Sequence, residues 1–84
     1  MTYIIYTRKF PPCSYCDAAK NYMKHLNIDY EEWDIDGDGV KHLFVDNGWK
    51  SVPQILKVTK DEEIYIGGYR DLVEHLKGFK NVRE

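Results

Sequence analysis

Cysteine is scarce in this sequence, which has two cysteines among its 84 residues. A secreted scaffold of this size uses several pairs of cysteines to link distant segments of the chain. Here Cys13 and Cys16 lie three positions apart, so a bond between them would close a small ring and link nothing distant. The pair is therefore better suited to chemistry than to a structural framework.

Long apolar runs and an excess of basic charge are also missing. No run approaches the roughly 18 apolar residues of a membrane span. The first residues, Met1–Tyr6, are too few and too polar for a signal peptide. Charged residues make up 31% of the chain, but the net charge is −2, which offers no basic face for nucleic acid. We therefore expect a cytoplasmic protein that binds neither membranes nor nucleic acid.

Candidate metal ligands are few. A zinc site needs a full tetrahedral set of ligands, but there is no second cysteine pair, and the histidines stand singly. The segment Asp34–Gly39 has the D-x-D-x-D-G opening of a calcium-binding loop, but Val45 stands where such a loop closes with glutamate. We interpret this segment as a turn between a strand and a helix, in which Asp38 or a neighbour caps the helix.

What the sequence does have is apolar periodicity for one domain, expected to span residues 1–84. The pattern predicts the order β-α-β-α-β-β-α. The predicted elements are a strand at 3–6, a helix from 14 to about 26, a strand at 28–35, a helix over 40–47, strands at 55–58 and 64–66, and a last helix after 68. A βαβ unit followed by a hairpin indicates an α/β fold with a four-stranded mixed sheet. The apolar helix faces are Cys16, Ala19, Met23 and Leu26 on the first helix, and Leu72, Val73 and Leu76 on the last.

The cysteine pair lies where a loop opens into the first helix. A thiol at a helix N-terminus faces unpaired backbone N–H groups and the positive end of the dipole, which lower its pKa from about 8.5. The spacing puts Cys16 one turn behind Cys13, close enough to attack a mixed disulfide. We therefore assign Cys13 as the nucleophile and Cys16 as the resolving thiol. The nearest cations in sequence are Arg8, Lys9 and Lys20, which are the candidates to help stabilise the thiolate.

Four segments are similar, in order, to motifs of the glutaredoxins. They are Tyr6-Thr7-Arg8 (Y-T-K in the family), Cys13-Ser14-Tyr15-Cys16 (C-P-Y-C), Ser51-Val52-Pro53-Gln54-Ile55 (T-V-P-Q-I/V) and Gly67-Gly68-Tyr69-Arg70-Asp71-Leu72 (G-G-x-D-D-L). The chain resembles that family over essentially its whole length. The resemblance implies a thioredoxin-like fold and a glutathione-dependent thiol–disulfide oxidoreductase, similar to bacterial and phage members; a phage protein would work in the host cytoplasm.

The resemblance also implies the rest of the site. Pro53 should be cis, with the backbone of Val52 turned toward the substrate. A groove for glutathione should have as its walls Arg8 or Lys9, Tyr15, Val52, Pro53, Gly68, Tyr69, Arg70 and Asp71. Glutathione would serve as reductant, with no permanently bound cofactor. The partners implied are glutathione mixed disulfides and protein disulfides such as that of ribonucleotide reductase, and the protein is expected to be a monomer.

Three departures from the family pattern leave alternatives open. Two extra residues separate Arg8 from Cys13. Ser14 replaces the usual proline, as in some members that bind a 2Fe–2S cluster with glutathione. Arg70 stands where an aspartate normally contacts the amino group of glutathione, and an arginine there is typical of redoxins that thioredoxin reductase reduces. The alternatives are therefore such a redoxin, or a glutathione-ligated 2Fe–2S carrier.

Overall fold

The computed structural model describes the backbone of residues 2–82 and the side chains of residues 2–77. Over that range the strands are β1 (Thr2–Thr7), β2 (Tyr30–Asp34), β3 (Gln54–Val58) and β4 (Glu63–Gly67). The helices are α1 (Ser14–His25), α2 (Val40–Asp46) and α3 (Tyr69–Val82). The order of elements confirms the one predicted from sequence.

The four strands form one mixed sheet in the order β2-β1-β3-β4. β1 and β2 are parallel, with α1 as the connection between them, whereas β1–β3 and β3–β4 are antiparallel. Tyr6, near the end of β1, pairs with Gln54, the first residue of β3. Gly67, the last residue of β4, pairs with Ile55. Three segments therefore meet at the same end of the strands: the loop after β1, the loop before β3 and the start of α3.

One face of the sheet carries the apolar core. Tyr3, Ile5 and Ile55 are at most 1% exposed and pack against apolar side chains of α1 and α3. The helix residues of this core are Ala19, Met23, Leu26, Leu72 and Leu76. Burying a side chain of this size stabilises the fold by about 1.5–3 kcal/mol. The predicted apolar faces of both helices are confirmed, with Val73 at the half-buried margin.

The opposite face is covered by aromatic side chains. The ring of Tyr6 lies edge-on to Trp33 and Trp49, with centroids 5.5 and 5.1 Å apart, and Phe44 of α2 packs beside it. The Trp49 ring also stacks on Tyr65 of β4 at 5.7 Å. Offset and edge-to-face aromatic pairs stabilise a fold beyond the area that they bury. The cluster connects the short helix α2 to the strands next to the cysteine pair.

One strand boundary differs from the prediction. The strand expected from residue 28 begins at Tyr30, because Asn27 takes a left-handed backbone (φ 59°) and the Ile28 N–H donates to Met23 at the end of α1. The residue that caps α2 is the neighbour of Asp38, which the prediction allowed. The capping residue is Gly39, with φ 81° and no side-chain bond, while the Asp34 carboxylate accepts the N–H of Asp36 within the preceding turn.

Candidate active site

The two cysteines open α1 and are joined by a disulfide, with Cα atoms 5.2 Å apart. Cys13 occupies the N-cap position, where its extended backbone (φ −120°, ψ 100°) precedes the first helical turn. The N–H of Cys16 donates to Sγ of Cys13 at 3.1 Å. Sulfur thus takes the place of the oxygen that serine or aspartate supplies at most helix starts. Because this donor and the helix dipole favour negative charge, the position suits a thiolate.

The two sulfurs differ in their access to solvent. Cys13 keeps 9% of its surface exposed, whereas Cys16 keeps 1%. Cys16 points to the same side of α1 as the buried Ala19, so the helix itself covers it. The order of exposure is the one expected for an outer and an inner thiol.

The segment before β3 contacts the outer sulfur. The Val52–Pro53 peptide is cis, as the resemblance implied. The carbonyl oxygen of Val52 lies 3.7 Å from Sγ of Cys13. In the disulfide this sulfur carries no hydrogen, so the approach is a contact; after reduction the thiol can donate to that oxygen. The Phe10–Pro11 peptide is also cis, which the sequence did not indicate.

A groove of about 460 Å³ opens beside this contact. Its lining includes seven residues predicted from the family resemblance: Tyr15, Val52, Pro53, Gly68, Tyr69, Arg70 and Asp71. It also includes Ser51, Gln54 and Tyr65, which were not among the predicted site residues. Ser51 and Gln54 stand inside the motif that carried the resemblance, so that motif could have indicated them. For Tyr65 the only signal was its place in the hairpin, where strand pairing brings it toward Gln54.

Arg8 and Lys9 do not line this groove. They lie in a separate cavity of about 370 Å³, which Cys13 and the exposed Phe10 also line. β1 continues through Thr7, and the chain then turns, with the Arg8 side chain donating to the carbonyl of Pro11 at 3.1 Å. Arg8 or Lys9 as a wall of the glutathione groove stays a prediction. The two cavities have no lining residue in common, since Cys13 lines the one with Arg8 and Val52, which contacts Cys13, lines the groove.

The third candidate cation, Lys20, is held by carboxylates. Its ammonium lies 2.9 Å from Glu32 and 3.6 Å from Asp17, and Thr7 also donates to Glu32. The hydrogen bond to Glu32 raises the pKa of Lys20 against the opposing effect of burial. Burial alone would raise the pKa of Glu32, but the hydrogen bonds from Lys20 and Thr7 outweigh it and lower that pKa. The ammonium group of Lys20 is therefore paired with these two carboxylates. In the described part of the chain we see no contact between Lys20 and Cys13 that would provide the expected stabilisation of the thiolate.

The far wall of the groove is the start of α3. The N–H of Gly68 donates to the Asp71 carboxylate at 3.0 Å, while Leu72 N–H bonds the Gly68 carbonyl. This is one half of a capping box, in which an acidic side chain in the first turn reaches back to the N–H of the capping residue. Gly67 has φ 120°, and a Cβ atom there would collide with the same carboxylate. Asp71 therefore shapes the helix start, and Arg70 beside it is exposed at the groove.

Two tyrosines connect the starts of α1 and α3. The rings of Tyr15 and Tyr69 stack with centroids 6.0 Å apart and planes 30° from parallel. Tyr15 keeps 59% of its surface exposed, although it is a large aromatic residue. The pair forms an apolar platform at the side of the groove.

Among the residues whose side chains the structure describes, no three histidine, cysteine or acidic residues cluster as metal ligands. No helix in that part of the chain is long and apolar enough to cross a membrane.

A four-stranded mixed sheet, a disulfide at the N-terminus of α1 and a cis-proline against it define a dithiol–disulfide protein of the thioredoxin-like fold. Residues 4–64 match the sequence model of the glutaredoxin family, and the chain belongs to that family. It is accordingly a thiol–disulfide oxidoreductase whose redox-active pair is Cys13 and Cys16.

Solved structures agree with this assignment. Reduced Escherichia coli glutaredoxin is 28% identical, covers all of both chains and superposes with a TM-score of 0.69. The E. coli glutaredoxin-like protein NrdH-redoxin is 22% identical over 98% of this chain and 95% of its own, with a TM-score of 0.65. A buckwheat glutaredoxin–glutathione complex is 20% identical over 96% of this chain and 73% of its own, with a TM-score of 0.67. The last two show the shared fold. No curated protein matches the sequence significantly.

Proposed function

We propose that this protein is a glutathione-dependent dithiol glutaredoxin that reduces glutathione mixed disulfides and protein disulfides. The observation that carries the proposal is the groove from Tyr15 to Asp71, which meets the outer sulfur at the carbonyl of Val52. The groove is open to solvent and combines an aromatic platform, backbone polar groups and a helix N-terminus. Those groups suit a short peptide with free carboxylates.

In the first step the Cys13 thiolate attacks the glutathione sulfur of a mixed disulfide. A bond forms between Cys13 and glutathione, and the protein thiolate leaves and takes up a proton. A second glutathione thiolate then attacks the glutathione held on Cys13. Glutathione disulfide leaves and the Cys13 thiolate is restored. The N–H of Cys16, donated to Sγ at 3.1 Å, supports the thiolate at both ends of this cycle.

A protein disulfide requires the second cysteine. Cys13 forms a mixed disulfide with the substrate, and Cys16 then attacks Cys13 and releases the reduced protein. The inner thiol is suited to this step because it is 1% exposed and so is sheltered from external disulfides. Two glutathiones return the Cys13–Cys16 disulfide to the dithiol. By family analogy, the disulfide of ribonucleotide reductase is one protein disulfide that the enzyme would reduce. We propose that the protein acts as a monomer, with one domain over residues 1–84, in a reducing cytoplasm.

We propose three sets of contacts for glutathione in the groove. The backbone of Val52 next to cis-Pro53 pairs with the cysteinyl residue as one strand pairs with another. The Tyr15–Tyr69 platform packs against the peptide. The N-terminus of α3 attracts a carboxylate. Arg8 and Lys9, in the cavity on the other side of Cys13, would reach only a part of the substrate that extends past the sulfur.

A redoxin reduced by thioredoxin reductase is the second candidate, and one observation favours it. The Asp71 carboxylate already accepts the Gly68 N–H, and the neighbouring groove position carries Arg70. At this position the groove therefore carries the positive charge of Arg70, whereas glutathione-binding members of the family carry a carboxylate that binds the ammonium group of glutathione. This arrangement weakens recognition of glutathione relative to other thiols.

One coupled assay distinguishes the two candidates. NADPH oxidation is followed with a small disulfide substrate, once with glutathione and glutathione reductase and once with thioredoxin reductase. The proposal expects turnover in the first assay, with none for Cys13→Ser. Turnover in the second assay alone would assign the protein to the redoxins. Anaerobic reconstitution with iron and sulfide that gives a visible 2Fe–2S spectrum would instead support a cluster carrier.

A further inference from the structure

A chain of side-chain hydrogen bonds runs from β4 to the loop before β3. The hydroxyl of Tyr65 donates to Oε1 of Gln54, and Nε2 of Gln54 donates to the carbonyl of Ser51 at 2.9 Å. The chemistry of the groups requires this direction. A carbonyl can only accept, so the amide NH₂ of Gln54 must face Ser51 and its oxygen must face the tyrosine.

Both donors are fixed to the sheet. Gln54 is 8% exposed and its backbone pairs with Tyr6 at the start of β3. The ring of Tyr65 stacks on Trp49 with planes 19° from parallel. The segment Ser51–Pro53, whose Ser51 carbonyl accepts the bond from Gln54, lies outside the strands. The hydrogen-bonded chain therefore connects an irregular segment to the rigid part of the fold.

The register of the hairpin brings Tyr65 into place. Leu56 pairs with Tyr65, but Ile55 pairs with Gly67, so Ile66 is an extra residue on β4. Because Gln54 lies two residues before Leu56, it faces Tyr65 diagonally on the same side of the sheet, within reach of a long side chain.

The segment held by this chain contacts the reactive sulfur. Val52 follows Ser51 directly, and its carbonyl oxygen lies 3.7 Å from Sγ of Cys13. In the reduced protein that oxygen can accept a hydrogen bond from the thiol but repels the thiolate. The N–H of Cys16 acts in the opposite sense. The position of the Val52 carbonyl therefore sets how readily Cys13 ionises.

We propose that Tyr65 and Gln54 are positioning residues, which through the carbonyl of Ser51 hold the Val52 carbonyl against Cys13 and so set the reactivity of its thiol. Neither side chain touches the sulfur. The inference deepens the proposed function, since the same carbonyl lies at the mouth of the groove, but it concerns Cys13 whichever reductant the protein uses.

The test is the pH dependence of iodoacetamide alkylation of Cys13, measured in full-length protein with Cys16→Ser so that one thiol reacts. Tyr65→Phe removes one hydroxyl and keeps the stack on Trp49. Gln54→Met keeps the length of the side chain and removes both hydrogen bonds. Each change should release the carbonyl and lower the apparent pKa of Cys13 by roughly half a unit, which is about a threefold change in the ratio of thiolate to thiol.

The double variant and a control make the test decisive. If the two side chains act as one unit, Tyr65→Phe with Gln54→Met should shift the profile no further than the larger single change. Tyr30→Phe, in the edge strand β2, should leave the profile unchanged. An unshifted profile for Tyr65→Phe, or additive shifts in the double variant, would overturn the proposal. Tyr65→Phe decides alone if Gln54→Met does not fold, which thermal melting reports. Alkylation uses no glutathione, so failure of the glutathione assay leaves this result standing.

Discussion

The carbonyl oxygen of Val52 lies 3.7 Å from Sγ of Cys13, although the two residues are 39 positions apart in the chain. The contact forms because the end of β1 and the start of β3 are antiparallel neighbours in the sheet. It places a backbone acceptor of the cis-proline segment beside a sulfur that already receives the Cys16 N–H. Two opposed backbone groups therefore lie against the outer sulfur.

Replacement of Cys13 or of Cys16 with serine should have different effects on the two disulfide-reducing activities. Cys13→Ser should abolish all thiol transfer, because no other thiol reaches the substrate. Cys16→Ser should keep at least part of the glutathione mixed-disulfide activity, since that cycle needs only the outer thiol, but should lose reduction of protein disulfides. Rates with a glutathionylated peptide and with a disulfide-containing protein measure the difference. Loss of both activities in Cys16→Ser would reverse the assignment of roles.

Replacing Arg70 with aspartate should increase activity with glutathione. The change restores a carboxylate for the ammonium group of glutathione and adds a negative charge to the first turn of α3, which the helix dipole favours. We expect the KM for glutathione to fall several-fold in the coupled assay. Lys77→Asp is the matched control, because it makes the same change of charge at an exposed position further along the same helix. An unchanged or higher KM for Arg70→Asp would mean that Arg70 itself binds glutathione.

Gly67→Ala should destabilise the protein more than Gly48→Ala does. Both glycines have positive φ, 120° and 77°, so both substitutions strain the backbone. A Cβ atom at position 48 has open space, whereas at position 67 it collides with the Asp71 carboxylate. We expect Gly67→Ala to lower the free energy of unfolding by about 1–3 kcal/mol more than the control, as measured by urea denaturation. Equal losses would mean that the Asp71 cap can move without cost.

Glu32 should contribute to stability at neutral pH and lose that contribution in acid. Its pKa is lowered from 4.5 in the folded protein by the bonds from Lys20 and Thr7, which outweigh burial. A carboxyl with a depressed pKa stabilises the fold above the unfolded pKa and stops doing so as the pH falls through the folded one. Wild type should therefore exceed Glu32→Gln in stability at pH 7, with the gap closing below about pH 4.5.

Urea denaturation of both proteins at several pH values measures that gap. Glu74→Gln is a suitable control, because it removes a carboxylate from an exposed pair with Lys77 in α3. An exposed pair of this kind contributes little, so its gap should be small at every pH. A gap for Glu32→Gln that stays constant from neutral to acid pH would contradict the prediction.

Much of the fold could be predicted because its signals are local. The spacing of Ala19, Met23 and Leu26 predicts one buried helix face, and a run such as Tyr3–Tyr6 predicts a strand without reference to the rest of the chain. The ends of elements were less certain. Residue 28 has the alternating pattern of a strand, but the hydrogen bond that its backbone makes with the end of α1 removes it from β2.

The composition of the groove divides in the same way. Motifs with a backbone signature, such as Val52-Pro53 and the glycines before α3, could be placed from the sequence. The positions of the cations before Cys13 and the partners of Lys20 could not be placed in this way. The side of Cys13 on which Arg8 and Lys9 lie depends on where β1 ends, which the sequence pattern does not give exactly. The carboxylates that bind Lys20 come from two elements, α1 and β2, which are adjacent only in the folded chain.

Signals between neighbouring residues were enough to predict the order of elements and the cysteine pair at a helix start, because apolar period and motif spacing are local properties. What surrounds Cys13 depends on the folded chain: the Val52 carbonyl against its sulfur, the bonds from Tyr65 through Gln54 to Ser51, and the separate cavities that Arg8 and Arg70 line. These contacts depend on strand register, since a shift of one residue turns a side chain to the other face of the sheet.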